Sequence, residues 1–256
     1  MPTKVISKKA AKKSVKKLVT MKPAASSATK PHQPNAAVRK RALAPERIKK
    51  ILDLLAAAYP NAECALIHKD AWQLLVATIL SAQCTDARVN IVTPVLFKRF
   101  PTPADLAAAP IDEIKEIIRT TGFYNNKAKS IQGAAKKIIA DFNGKVPRKM
   151  EELLTVPGAA RKTANVVLGV AYKLAVGVVV DTHVLRLSRR LELTTETTPE
   201  KVEQDLMKII PQDHWIAFSH ELIHHGRNVC IARKPRCVDC TLEKVCNSSD
   251  KTWSTH

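Results

Sequence analysis

Glycine is scarce in this chain, 7 residues in 256, too few for a turn-rich β architecture and a reason to expect long helices. Aromatic residues are only 4% of a sequence that is 45% hydrophobic, so its core must be mostly Ala, Val, Ile and Leu. No uninterrupted apolar run approaches the ~20 residues of a membrane-crossing helix, so no membrane role is expected. Acidic residues are missing from the first 40 positions, which hold eleven of the 42 Lys and Arg residues. Such a segment cannot bury enough apolar surface to offset its ordering entropy, and residues 1–43 are expected to be a disordered basic tail. A non-specific DNA-binding arm, a solubilising tail and a transit peptide (Lys-rich rather than Arg-rich) are its three readings. About eight of the +19 formal charges remain without it, so a polyanionic partner is expected for the folded part as well.

What the chain does have is a cysteine quartet, Cys230-x6-Cys237-x2-Cys240-x5-Cys246. Four thiolates this close in sequence can converge on one centre. A zinc ribbon uses two tight Cys-x2-Cys knuckles, and here only Cys237 and Cys240 make one. A [4Fe–4S] cluster takes one thiolate per iron and suits uneven loops, while zinc also accepts four thiolates. The spacing leaves both open. Two disulfides are disfavoured, because no secretory signal is seen and a reducing, cytoplasmic setting is expected. Cys64 and Cys84 lie outside the quartet and read as ordinary buried thiols.

From Ala44 onward the pattern is helix after helix. Trp72, Leu75, Val76, Ile79 and Leu80 share one face. Thr85 or Asp86 caps a helix containing Val89, Val92 and Leu96, in which Pro94 is expected to cause a bend or a shifted start. Pro101, Pro103 and Pro110 punctuate short helices, and Ile111 to Arg119 gives another. Ala128, Ile131, Ala134, Ala135, Ile138 and Ile139 mark a longer one ending near Asn143-Gly144. Val176 to Val180 is strand-like but alone, and reads as a buried connection. The expected class is all-α.

The segment Leu153 to Leu168 reads as a short helix, a tight turn at Pro157-Gly158, and a second helix that opens at once. A helix start after such a turn leaves N–H groups pointing outward, which suits a phosphate. Ala164, Val167, Leu168 and Ala171 form the buried stripe. Lys162 lies about 200° from Ala164 around the helix and points away from it.

Arg161-Lys162-Thr163-Ala164 after the turn, then Val180-Asp181-Thr182-His183, then the four cysteines, resemble the endonuclease III family of helix-hairpin-helix DNA glycosylases with lyase activity. Ser81-Ala82-Gln83-Cys84-Thr85-Asp86 and Gly122-Phe123-Tyr124-Asn125 match two further family segments, in family order from Arg47 to Cys246. The resemblance implies that Lys162 is the nucleophile and that Asp181 assists it. An amine can displace a damaged base at C1′, hold the opened sugar as a Schiff base and nick the strand by β-elimination. Only a neutral amine attacks, which asks for burial or nearby cations, and Arg161 and Lys173 are candidate neighbours. Asp181 also reads as a helix N-cap.

The resemblance further implies a bifunctional base-excision repair enzyme, a monomer in the cytoplasm or nucleoid, acting on double-stranded DNA with oxidised pyrimidines or abasic sites. Gln83 and Phe123 would be wedges entering the duplex. Pro157, Gly158, Ala160, Arg161 and His183 would be DNA contacts, as would Arg233, Lys234 and Arg236 on the cysteine loop. The quartet would hold a [4Fe–4S] cluster that fixes that loop. A helical domain at 66–177 would face a second one built from 44–65 plus 178–249, with DNA in the cleft between them and a tail at 250–256. Two positions depart from the family pattern. Phe123 stands where leucine is usual. Ala160 stands where the second glycine of the hairpin is usual, and its methyl and aversion to positive φ predict weaker or differently placed DNA binding.

Other classes stay in view. His220-Glu221-Leu222-Ile223-His224 spells the zinc-protease pattern, with Glu221 as base and Glu243 as a conceivable third ligand. A helix packed beside the cysteine cluster accounts for it more simply. A non-catalytic iron–sulfur DNA-binding protein would be expected to lack Lys162 or Asp181, and both are present.

Overall fold

The computed structural model describes residues 41–253; the basic arm expected ahead of them lies outside the described residues. Among these residues all regular structure is helical, as the glycine shortage predicts. No described helix is long and apolar enough to cross a membrane.

α1 (Pro45–Ala58) starts on Pro45, whose fixed φ suits a first helical turn, and turns Ile48, Ile51, Leu52 and Leu55 inward. α2 (Ala71–Leu80) is capped by Asp70, which accepts from the Gln73 N–H at 2.8 Å, and is buried almost throughout. Around it lie α3 (Asp86–Arg99), α4 (Pro103–Ala108), α5 (Ile111–Ile118), α6 (Tyr124–Phe142), α7 (Met150–Leu153) and α8 (Arg161–Tyr172). Their Leu96, Leu106, Ile114, Ile131, Leu153 and Leu168 complete a first core. At about 1.5–3 kcal/mol for each fully buried aliphatic side chain, this packing dominates local stability.

A second core joins α1 to α9 (Thr182–Arg190), α10 (Pro199–Ile209) and α11 (Trp215–Asn228), around Leu55, Leu187, Leu206, Phe218 and Leu222. Arg47 explains why α1 belongs here despite its distance in sequence. Its guanidinium donates to the carbonyls of Leu191 at 2.8 Å and Val245 at 2.6 Å. Ala42 is already buried, so packed structure begins before Ala44. At the other end, Asp250 pairs with Arg190 at 2.6 Å and Lys251 with Glu243 at 3.0 Å, holding 250–251 against the cysteine loop.

Two expectations are refined. α3 keeps its start at the Thr85 cap and runs through Pro94 to Arg99. Pro94 is on the exposed side, where the Asn90 carbonyl it deprives of a partner can bond water. The strand-like stretch is a connection, but its buried part begins only at Gly177 and runs to Val180, since Val176 is 37% exposed. Val179 belongs to the first core, and Val178 and Val180 to the second. Alternate side chains of an extended segment point opposite ways, so three valines stitch the cores together.

Glycine is spent where helices touch. A Cβ on Gly226 of α11 would fall 2.9 Å from His183 Cβ on α9. Gly226→Ala should therefore cost about 1–3 kcal/mol by overpacking. Denaturant unfolding checks this; an unchanged midpoint would mean that α9 and α11 have room to part.

Candidate active site

The hairpin is built by sterics. Gly158 has φ +81°, and a Cβ there would meet Ser130 Cβ at 3.0 Å; Gly133 on α6 leaves room for Pro157, which a Cβ would meet at 3.2 Å. Ala159 is buried and Ala160 is exposed. Ala160 has φ −74° and ψ 170°, ordinary extended backbone for the residue before a helix. The expected conflict with positive φ therefore does not arise, and only the bulk of the methyl remains. α8 has no side-chain cap, so its first-turn N–H groups stay open to an incoming anion.

Lys162 leaves the first turn of α8 exposed, as its angle from the Ala164 stripe predicts. Its amine makes no hydrogen bond or ion pair within the described residues. Asp181 ends the valine connection and caps α9, its Oδ1 accepting from the N–H groups of His183 at 2.8 Å and Val184 at 2.9 Å. The cap fixes the carboxylate, and Oδ2 takes no hydrogen bond within the described residues. Lys162 and Asp181 line the same two pockets, one on each side of them.

Of the two candidate cationic neighbours of Lys162, Arg161 shares a pocket with it and Lys173 does not. Arg161 Nε and Nη2 donate to Glu203 at 2.6 and 3.1 Å. Lys173 sits past the far end of α8, roughly 17 Å along the axis at 1.5 Å per residue, and acts on His220. Arg227 shares a second pocket with Lys162 and Asp181, and pairs with Asp86 at 2.7 Å. Its signal in the sequence is the series His220, His224, Arg227, which falls on one face of α11. Glu63 and Cys64 also line this pocket, from a loop with no pattern to betray it. Burial pushes the Cys64 thiol up, with Lys162 and Arg227 acting in the opposite sense.

Gln83 and Phe123 are both exposed, Phe123 at 65%. Both hold left-handed backbone, with φ 53° and 48°, a conformation that costs non-glycine residues and clusters at functional sites. Behind Phe123, buried Lys127 donates to the Thr121 carbonyl at 2.7 Å. Burial lowers its pKa, opposed by nearby Cys84, so one lysine lies between the two projecting loops.

The four cysteines of the quartet line one pocket with Arg190, and none of the six cysteines is paired in a disulfide. Donors converge on the sulfurs: Arg190 Nη1 on Cys230 at 3.2 Å and the Thr252 N–H on Cys237 at 3.4 Å. His225 is buried, and burial holds its pKa down at about 4. Its neutral ring contacts Tyr59 Oη through Nδ1 at 2.8 Å and Cys240 Sγ through Nε2 at 3.4 Å. With the tyrosine hydroxyl donating, Nε2 carries the hydrogen that faces sulfur. Burial, reinforced by Cys230, Cys246 and Cys237, pushes the Cys240 thiol up to about 11. Yet no three His, Cys, Asp or Glu side chains among the described residues come close enough to hold one ion. The four thiols that line one pocket are a donor set for a tetrahedral zinc or for an iron–sulfur cluster.

On the loop between the first two cysteines, Arg233 and Lys234 are exposed and make no ion pair among the described residues. Arg236 is also exposed but pairs with Asp239 at 3.1 Å, an exposed pair weak enough to yield to a phosphate. The protease pattern does not assemble. His220 and His224 line the pocket of Lys162, but Glu221 is buried at 7% exposure and Glu243 is held by Lys251.

Comparison with known proteins follows the same lines. The family model of the HhH-GPD superfamily of base excision DNA repair proteins matches residues 76–212. The chain is 56% identical over 212 residues to endonuclease III of Synechocystis sp., covering 83% of this chain and 97% of that one. It is 44% identical over 207 residues to endonuclease III of Bacillus subtilis, covering 80% and 94%. A solved non-covalent endonuclease III–DNA complex superposes with TM-score 0.76 at 43% identity, over 79% of this chain and 95% of that chain. A trapped endonuclease III–DNA covalent intermediate gives TM-score 0.76 at 44% identity, with the same coverage.

The cleft should also be acid-sensitive. Burial, more than any other cause, lowers the pKa of His183, and burial with His224 and Lys173 lowers that of His220. Below the unfolded value near 6.5 the unfolded chain takes up these protons before the folded chain does. Their contribution to stability is thus complete above about pH 6.5 and lost as pH falls below it. Melting curves between pH 8 and 5 should show this slope, reduced in His220→Phe; an identical slope in that variant would remove His220 from the account.

Proposed function

The chain belongs to the endonuclease III family of the HhH-GPD superfamily, and we propose that it is a base-excision DNA glycosylase and abasic-site lyase with Lys162 as nucleophile. The observation that carries this reading is the shared pocket. An amine without an internal partner and a carboxylate oriented by a helix cap meet at the uncapped start of a helix. The open N–H groups and the exposed Arg233 and Lys234 would hold the phosphates, and Gln83 and Phe123 would fill the space of the extruded nucleotide. The two cores read as two domains with DNA in the cleft between them. Lys162 and Asp181 come from the same chain, which supports action as a monomer.

The residues divide the chemistry as follows. The Lys162 lone pair bonds to C1′ as the N-glycosidic bond breaks, and the base leaves with that electron pair and takes up a proton. The attached nitrogen gives up a proton, and its lone pair forms C1′=N as the C1′–O4′ bond breaks. O4′ takes up a proton, which leaves an open sugar held as an iminium on Lys162. Loss of a C2′ proton then expels the 3′ phosphate with the C3′–O3′ electrons, nicking the strand. Asp181 faces the positive charge that develops at the sugar and is placed to move protons there. Oxidised pyrimidines are the proposed lesion class, from the family resemblance.

Cys230, Cys237, Cys240 and Cys246 would hold a [4Fe–4S] cluster, which supplies a rigid anchor for the loop carrying Arg233 and Lys234 and takes no part in these steps. The one pocket lined by all four thiols and the donors aimed at three sulfurs support a shared centre there, and the family resemblance favours iron–sulfur over zinc. Elemental analysis should find iron and sulfide, and zinc alone would overturn it.

Borohydride reduction on abasic duplex DNA should crosslink the protein, and Lys162→Ala should cut the yield at least ~100-fold. A crosslink that persists in that variant would reassign the nucleophile.

A further inference from the structure

We propose that Glu203 is a positioning residue for Lys162, an inference that rests on Lys162 being the nucleophile. Glu203 belongs to α10 and is only 3% exposed, so its carboxylate lies almost wholly out of water. Every hydrogen bond it receives comes from α8: Arg161 Nε on Oε2 at 2.6 Å, Arg161 Nη2 on Oε1 at 3.1 Å, and Asn165 Nδ2 on Oε1 at 2.8 Å. Arg161 and Asn165 are one turn apart on α8 and so present the same face to α10. Lys162 lies between them in sequence, about 100° around the helix from Arg161, and lines one pocket with Asp181, Asn165 and Glu203.

The clamp adds a polar tie to a turn of α8 that is otherwise held by packing of Thr163 and Ala164. Ala160, at the N-cap position, offers no side-chain acceptor, and Lys162 itself has no partner. The backbone makes space for it. A Cβ on Gly177 would overlap Glu203 Oε1 outright and stand 2.7 Å from Asn165 Oδ1, so glycine leads into the valine connection where the carboxylate needs room. A buried ion pair that replaced well-packed apolar residues is seldom a gain in stability. Its gain here is geometric: it ties the turn bearing the amine to the same core that carries the α9 cap, and hence Asp181. Misplacing a nucleophile by ~1 Å can cost on the order of 100-fold in rate.

Glu203→Gln tests this in the full chain. Glutamine keeps the shape but accepts at one oxygen only, so one set of donors from α8 must lose its partner. Single-turnover crosslinking to abasic duplex should slow at least ~10-fold, while affinity for a duplex with an unreactive abasic analogue stays within about twofold. Exchanging the two groups in Glu203→Gln/Asn165→Asp restores a carboxylate facing an amide and should recover most of the rate. A purely structural role would leave rate and melting temperature moving together, without that recovery. Should Glu203→Gln fail to fold, Glu203→Asp withdraws the carboxylate from its donors on α8 and should show the same defect. Wild-type rate in either folded variant overturns the proposal. Lys162→Ala runs alongside: a crosslink there defeats the assignment of Lys162, whereas its loss together with a wild-type Glu203→Gln rate defeats only the role of Glu203.

Discussion

The structure depends on the extended run Val178–Val180 and the aspartate that ends it. Three valines divided between two cores leave the connection no freedom to slide, because a shift of one residue would turn every side chain toward the wrong core. Asp181 then follows at a fixed distance from both. Its Oδ1 accepts from two N–H groups of α9, so its direction is set by the helix it starts. The carboxylate is thus rigid for reasons of folding alone. The amine opposite is carried by α8, which packs in the first core. The pocket of Lys162 and Asp181 is formed where helices from two cores face one another.

The second core reaches the cysteine loop through a few long side chains. Arg190 contacts Cys230 Sγ, the Ile231 carbonyl and Asp250, while Arg47 reaches Val245 from α1. His225 and Tyr59 carry the same connection to Cys240. In a chain with few aromatics, one of three tyrosines serves as a hydrogen-bond partner for a buried histidine. Arg186 adds a further bond, donating to the carbonyls of Gly226 and Cys230. The loop bearing Arg233 and Lys234 is therefore set by the same helices that carry the Asp181 cap and Arg227. Phosphate contacts on that loop would share a frame with the reacting groups.

Legibility in the sequence followed the range of each interaction. Helix existence, the caps at Thr85 and Asp181, and the outward direction of Lys162 are local consequences of period and side-chain chemistry. The buried connection was readable because a lone run of valines has no strand to pair with. Arg161 shows where this ends. Its place beside Lys162 made it a candidate cationic neighbour, but the carboxylate that holds it lies 42 residues away on α10. Arg227 fills the cationic position from still farther along the chain, paired with Asp86 across 141 residues. The φ of Ala160 was misjudged for a related reason: the turn puts its positive φ at Gly158, and only the backbone path shows that one glycine suffices.

That placement bears on how far the hairpin can vary. A hairpin that presents N–H groups to a phosphate needs one residue able to reverse the chain and a clear surface above the helix start. Gly158 supplies the first, and a Cβ there would be strained at φ +81° and would crowd Ser130 and Ile79. Ala159 is buried and adds to the first core, a packing contribution that glycine would forfeit. Ala160 is exposed at the N-cap, where alanine forgoes about 1 kcal/mol of capping relative to serine or aspartate. An uncapped helix start is the one kind whose N–H groups remain available to a ligand, and aspartate there would also repel a phosphate. The missing cap weakens α8 at the turn that must hold still for chemistry. The Glu203 clamp restores rigidity from the side of the helix, which leaves its end open.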